Sequence, residues 1–193
     1  SLADLTIFSF HPVKAITTAE GGMVVTNRKK FSDKIRLFRN HGIRKPINHP
    51  FWYQEMIDLG FNFRLTDIQS ALGLSQLNKL KKFISRRREI ARQYTEAFKE
   101  IDEIILPPNQ PWAEHAWHLF VVQLKTSNRD VVYDRLKKKG VGTQVHYVPI
   151  HFQPYYRKRF GFRKGDFPKS EEYYARCLSI PLFPAMTDQQ VRR

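Results

Sequence analysis

Cysteine is almost missing from this chain: Cys177 is the only one in 193 residues. No internal disulfide can form, so the expected compartment is a reducing one, the cytoplasm, and a buried structural thiol is expected rather than a nucleophile. Apolar runs long enough to cross a bilayer are missing too, and no signal peptide is expected ahead of the first strand, although Ser1 stands where an initiator Met would. Acidic residues are scarce, with 18 Asp and Glu against 33 Lys and Arg, a formal net charge of +15 and a sequence pI near 10.1. With 13% aromatic residues, that balance admits a basic nucleic-acid or polyanion binding module without catalysis. The basic residues form no single tract, however. They are scattered as Arg28-Lys29-Lys30, Lys79-Leu80-Lys81-Lys82, Arg86-Arg87-Arg88, Lys137-Lys138-Lys139 and Arg157-Lys158-Arg159, mostly on polar helix faces where charge is simply solvated. No zinc-finger spacing, RNA-recognition motif, repeat or low-complexity segment accompanies them, so neither nucleic acid nor membrane is the expected partner.

What is present is a mixed α/β pattern. Leu5-Thr6-Ile7-Phe8-Ser9-Phe10 and Gly22-Met23-Val24-Val25-Thr26 read as strands. Ser32 can cap a helix through about Arg39 that Gly42 ends, and an irregular stretch follows from Ile43 to Phe63. Thr66 and Gln69 make a capping-box pattern, after which Ile68, Ala71, Leu74, Leu77, Leu80 and Ile84 predict a long amphipathic helix to about Lys99, with a break near Ser85. Pro107, Pro108 and Pro111 mark a boundary. Beyond them come a strand at Leu119 to Leu124, a helix from Asn128 to Lys139 closed by Gly140, and a strand at Gly142 to Val148, a compact βαβ-like unit. A helix around Ser170 to Leu178 follows. Thr187 and Gln190 announce another helix start only a few residues before Arg193.

The chemistry-bearing segment is Ser9-Phe10-His11-Pro12-Val13-Lys14-Ala15-Ile16-Thr17-Thr18-Ala19-Glu20-Gly21-Gly22. It sets one lysine on a turn between two apolar strands and follows it with a glycine pair. An amine held in that way suits Schiff-base formation with an aldehyde, because lysine can lose its proton when desolvated and arginine cannot. A lone loop lysine would ordinarily be a solvated charge, and it is the whole string that argues otherwise.

That string resembles the active-site segment of the DegT/DnrJ/EryC1/StrS family of sugar-nucleotide aminotransferases, in which Ser-Phe-x-x-x-Lys followed by Thr-x-x-Glu-Gly-Gly carries the pyridoxal-phosphate lysine. The resemblance extends over nearly the whole chain. Arg39-Asn40-His41-Gly42 is similar to the family's Arg-x-His/Tyr-Gly turn. Gly60-Phe61-Asn62-Phe63-Arg64-Leu65-Thr66-Asp67-Ile68-Gln69-Ser70-Ala71 is similar to its Gly-x-Asn-x-Arg-Leu/Met-x-x-x-Gln-x-Ala signature.

The resemblance implies the type I aminotransferase fold, of which residues 1–107 would be the end of the cofactor-binding large domain with the long bridging helix. Residues 108–193 would be the small C-terminal α/β domain. It implies pyridoxal 5'-phosphate as cofactor, Lys14 as the catalytic and cofactor-holding lysine, and Ser9 as a phosphate ligand in the same subunit. Asn62 would reach the phosphate of the other subunit of a homodimer. Read without the family, Asn62 is a turn asparagine that caps its own backbone, and Arg64 pairs with a carboxylate at the helix start.

His146-Tyr147 matches a His-aromatic pair that meets the sugar nucleotide, although a surface histidine fits the sequence as well; His41 belongs to the same substrate-binding set. His115 and His118 lack a third metal ligand, and no metal site is expected. Within the family, His41-Gly42-Ile43-Arg44, the insertion Trp52-Tyr53-Gln54-Glu55 and the ending Pro168 to Pro184 are most similar to members that aminate C4 of a UDP-linked 4-keto-6-deoxy-N-acetyl hexosamine on the pseudaminic-acid route. L-glutamate is the implied donor. The sugar dehydratases of the family carry histidine where Lys14 stands. The acid for the pyridine nitrogen and the stacking ring come, in the family, from sequence upstream of the lysine strand. The chain is therefore expected to be the C-terminal half of a longer protein, inactive alone, with opening strands that lack their covering sheet.

Overall fold

The computed structural model describes residues 3–126 and 128–193; Ser1, where the first expected domain begins, lies outside the described residues. The chain divides into two compact units, Ser1–Leu80 and Lys81–Arg193.

In the first unit, β1 (Thr6–Ser9) pairs antiparallel with β2 (Gly22–Val25), Thr6 opposite Val25 and Ser9 opposite Gly22. Successive strand residues point to opposite faces, and Ile7 is 76% and Phe8 49% exposed, so both faces of this ribbon stand largely open. Helix α1 (Lys29–Arg39) starts a turn earlier than Ser32, which lies inside it. The Thr26 hydroxyl accepts the Arg28 amide N–H at 3.1 Å, and Lys29 pairs with Asp33 one turn on; these contacts, absent from the Ser32 reading, fix the start. The helix ends as expected at Gly42, whose φ is +68° and whose added Cβ would lie 1.7 Å from the Asp58 carbonyl oxygen. The stretch after it is not wholly irregular: β3 (Ile43–Arg44) and β4 (Glu55–Met56) form a short hairpin, with Arg44 Nη2 on Glu55 Oε2 at 3.0 Å. The Arg44 hydrogen bond above all, with that of Tyr53 and the Arg44 charge, outweighs the cost of burial and holds the Glu55 carboxyl below its ordinary range. Helix α2 (Asp67–Leu77) opens on the expected capping box, both reciprocal bonds of Thr66 and Gln69 being formed.

The single long helix is in fact two. After α2 the chain makes a tight turn at Asn78 and Lys79, where the Lys79 N–H returns to the Gln76 carbonyl at 3.0 Å, and α3 (Leu80–Phe98) runs on without a break at Ser85. In α3, Ile90, Ala91 and Tyr94 are buried against Phe120, Val122, Leu178 and Leu182. This packing is why the second compact unit begins at Lys81, ahead of the Pro107-Pro108 turn.

The sheet of that unit is three-stranded and antiparallel: β5 (Ile104–Ile105), β6 (Phe120–Leu124) and β7 (Cys177–Ile180), in that order. Helix α4 (Arg129–Lys138) is capped by Asn128, whose Oδ1 accepts the Asp130 N–H at 2.9 Å. The segment 142–148 pairs with the sheet through a Gln144–Ser179 bridge, beside β7. The expected βαβ-like unit is thus split, with β7 standing between β6 and that segment. A 3-10 turn (Ile150–Phe152), α5 (Pro154–Phe160) and α6 (Pro168–Arg176) follow, α6 running straight into β7. Helix α7 (Asp188–Val191) is a single turn on a complete Thr187–Gln190 capping box. Among the described residues no helix is long and apolar enough to cross a membrane. Cys177 is a free, fully buried thiol, and burial pushes its pKa up.

Candidate functional site

In the first unit the lysine string is a built loop. Phe10 donates its N–H to the Gly21 carbonyl at 2.9 Å and accepts the Thr18 N–H and the Thr17 hydroxyl, each at 3.0 Å, on its own carbonyl. The Phe10 peptide therefore closes the strands behind the loop. At the tip, Lys14 donates its backbone N–H to the His11 carbonyl at 2.9 Å. His11-Pro12-Val13-Lys14 is a four-residue turn with proline at its second position, where its fixed φ is suited. Lys14 is half-buried, and among the described residues its ammonium has no carboxylate or hydrogen-bond partner. Its backbone is fixed while its amine stays available. Ser9, at the end of β1, is exposed, and its hydroxyl sits 3.5 Å from the His11 amide.

Thr18 holds the loop's far side. It is 2% exposed and its hydroxyl donates to the Glu20 carbonyl at 2.7 Å. A Cβ on Gly21 (φ +149°) would lie 2.5 Å from that hydroxyl oxygen, and one on Gly73 of α2 would lie 2.9 Å from the Thr18 methyl. Glycine is needed on both sides for Thr18 to seat. Gln69 then adds a polar tie, its Nε2 donating to the Glu20 carbonyl at 3.1 Å. Thr18 and Gln69 were not singled out in the sequence as site residues. A glycine inside a helix, Gly73, is the signal that a close approach occurs there.

Asn62 lies in a backbone ladder rather than a self-capping turn. Asn40 and Asn62 form an antiparallel bridge, the His41 N–H reaches the Phe61 carbonyl at 2.9 Å, and the Phe63 N–H reaches the Arg39 carbonyl at 3.0 Å. The Asn62 side chain is exposed and makes no hydrogen bond among the described residues. Arg64 does not pair with a carboxylate; its Nη1 donates to Asn40 Oδ1 and so braces the ladder. The structure thereby brings His41 next to Asn62, with His41 at φ +60° on the turn out of α1.

In the second unit, His146 Nδ1 is 2.7 Å from Ser179 Oγ, and burial pushes its imidazole below its ordinary pKa. The neutral ring presents one donor and one acceptor. Tyr147 packs edge-on against it, centroids 4.6 Å apart, and is 73% exposed. His115 is not on a helix: its Nδ1 accepts the Trp117 N–H at 2.8 Å and its ring stacks on Trp117. Among the described residues no three His, Cys, Asp or Glu side chains gather in a metal-binding group.

Comparison with known proteins gives this arrangement a setting. Residues 1–193 match the model of the DegT/DnrJ/EryC1/StrS aminotransferase family, and the chain belongs to that family. The spore coat polysaccharide biosynthesis protein SpsC of Bacillus subtilis is 39% identical over 201 residues, covering 99% of this chain and 52% of the relative. Among solved structures, Helicobacter pylori PseC, an aminotransferase involved in the biosynthesis of pseudoaminic acid, superposes with a TM-score of 0.91 at 34% identity, over 98% of this chain and 51% of its own. The PLP-form of a putative sugar aminotransferase from Streptococcus pneumoniae superposes with a TM-score of 0.90 at 27% identity, over 100% of this chain and 50% of its own. This chain spans about half the length of each of these relatives.

Proposed function

We propose that this chain is the C-terminal portion of a pyridoxal-phosphate-dependent sugar-nucleotide aminotransferase. Its residues 1–107 would end the cofactor-binding domain and residues 108–193 form the small domain. The observation that carries the reading is the Lys14 turn: an amine without a partner among the described residues, on a backbone-fixed loop, five residues after a serine hydroxyl at a strand end. The donor set fits the cofactor's chemistry. An amine suits its aldehyde, and the hydroxyl of Ser9 and the unengaged amide of Asn62 suit its phosphate. Bound pyridoxal phosphate supplies the electron sink that lets a proton leave an amino acid's α-carbon.

Lys14 Nζ does two jobs in this reading. It would hold the cofactor, and as a free amine it would take the proton from the donor's α-carbon and later deliver one to C4 of the sugar. Ser9 orients the phosphate from Lys14's own subunit, and Asn62 does so from the other subunit of a homodimer with shared sites. His146, as a neutral imidazole, donates to the diphosphate or a sugar hydroxyl while Tyr147 covers an apolar face and His41 joins the same set.

The substrate of the proposal is a UDP-linked 4-keto-6-deoxy-N-acetyl hexosamine, the donor L-glutamate, and the setting surface-polysaccharide or flagellin sugar biosynthesis in the cytoplasm. Kinship to PseC and SpsC supports the sugar class. The activity is that of a polypeptide of the relatives' length, and this chain alone is expected to be inactive. A glutamate-dependent amination assay on the UDP-4-keto sugar tests it: formation of the 4-amino sugar supports the reading, and absence of turnover by a protein shown to hold the cofactor overturns the substrate assignment.

A further inference from the structure

The short strap between β7's neighbour segment and α5 carries the exposed ring of Tyr147, and it is clamped at both ends. At the first end, Gln144 and Ser179 exchange two backbone hydrogen bonds of 3.0 and 2.8 Å, and the Ser179 hydroxyl meets His146 Nδ1 at 2.7 Å. At the other end, His151 lies in the 3-10 turn with its ring against Phe152 and Phe167, at centroid distances of 4.3 and 4.8 Å. Its Nε2 is 3.0 Å from Glu171 Oε1, and the same oxygen accepts the Gly165 N–H at 2.7 Å. The two side chains are 6% and 14% exposed.

We infer that Glu171 and His151 are positioning residues, which act through the strap to set Tyr147 for the nucleotide sugar; this rests on the function proposed above. One carboxylate oxygen joins three segments that are separate in sequence: the strap's end at His151, the aromatic loop at Gly165, and α6, which bears Glu171. Apolar side chains would fill the same space without the desolvation cost of an ionised group. They would not fix the two donors at hydrogen-bonding distance, and directionality is what a strap needs if its exposed ring is to hold one orientation. Burial opposes the charge on Glu171, yet the Gly165 N–H and His151 more than offset it, and the carboxyl lies below its ordinary range. The Glu171 carboxylate is therefore an acceptor at neutral pH. Around the second clamp the Phe152 N–H closes on the Pro149 carbonyl at 2.9 Å, with Pro149 buried and Tyr147 left outside. A ring preset in this way enters the complex without a further ordering cost.

The test uses the full-length enzyme with Glu171→Ala, Glu171→Gln and His151→Phe. Glu171→Ala is expected to raise KM for the UDP-linked keto sugar about tenfold, the loss of roughly one hydrogen bond's worth of ordering. The glutamate half-reaction, followed by cofactor absorbance, should stay within about twofold of wild type, since it does not use Tyr147. Glu171→Gln keeps an acceptor oxygen and should recover most of the loss; His151→Phe keeps the ring packing and should reproduce it. Unchanged KM in both Glu171→Ala and His151→Phe overturns the inference, as does an equal fall of both half-reactions in all three variants. If the wild type reacts with glutamate but not with the keto sugar, the functional reading fails instead. Amide hydrogen exchange then decides the strap by itself: faster exchange confined to residues 146–153 in Glu171→Ala supports the clamp, and unchanged exchange there contradicts it.

Discussion

Gln69 donates its side-chain Nε2 to the carbonyl of Glu20 at 3.1 Å while its Oε1 accepts the Thr66 N–H at 3.0 Å. One amide thus both caps α2 and ties that helix to the loop that carries Lys14. The two sequence signatures, Ser9 to Gly22 and Gly60 to Ala71, are joined physically and not only by family habit. Gln69→Leu should cost about 1–2 kcal/mol, one cap and one loop bond. It should also raise amide exchange in residues 17–21 together with the first turn of α2. Faster exchange in α2 alone would mean that the loop is held without it.

Arg87 is 5% exposed, and its Nη1 donates to the carbonyls of Trp117, His118 and Leu182 at 3.1, 3.1 and 2.8 Å. Burial lowers its pKa, but from so high an ordinary value that the guanidinium stays charged. Arg87→Met removes a donor from two buried acceptors and one part-buried one and should destabilise the second unit by about 3–5 kcal/mol in urea unfolding. A change below about 1 kcal/mol would show that these carbonyls are satisfied by other means.

His146 should titrate below the ordinary imidazole value of about 6.5, because burial disfavours its charged form. The folded state then binds fewer protons than the unfolded one between the two values. Its contribution to stability is complete above the unfolded value and is lost as pH falls through it towards the depressed folded value. Histidine ring NMR checks the value directly, and His146→Asn should flatten that part of the stability profile. A titration at or above the ordinary value would contradict the burial argument.

Mixed dimers test the reading of Asn62. If Asn62 serves the partner's site, a full-length Lys14→Ala and Asn62→Ala heterodimer places both defects in one composite site and leaves the other whole. Activity should recover to about half of wild type, one site of two. Activity no higher than in either parent, with subunit exchange shown separately, would put Asn62 in its own subunit's site or in none.

Much of this was legible before the structure because its signals are local. The Thr66–Gln69 and Thr187–Gln190 boxes and the Asn128 cap each lie within four residues and formed as expected. The α1 start was misread because Thr26 and the Lys29–Asp33 pair outcompete Ser32. The turn at Asn78–Lys79 interrupts an apolar period that continues across it, so periodicity could not locate it. Strand β7 was hidden because α6 reaches it with no intervening turn, and Cys177-Leu178 suits a helix as well as a strand. At the site, Lys14, Asn62 and Tyr147 could be singled out from motifs. The contacts beside them, Thr18 to Glu20 and Gln69 to Glu20 at the Lys14 loop and Ser179 to His146 next to Tyr147, span 2, 49 and 33 positions in sequence, and the longer ones show only on folding.

Everything proposed for this chain turns on Lys14 as the cofactor-holding amine. The direct measurement is borohydride reduction of the full-length protein with pyridoxal phosphate, followed by peptide mapping, for wild type and Lys14→Ala. One reduced pyridoxyl group is expected, on the peptide containing Lys14, with loss of the visible cofactor band in Lys14→Ala. A pyridoxyl group on any other lysine, or an unchanged band in the variant, would contradict it.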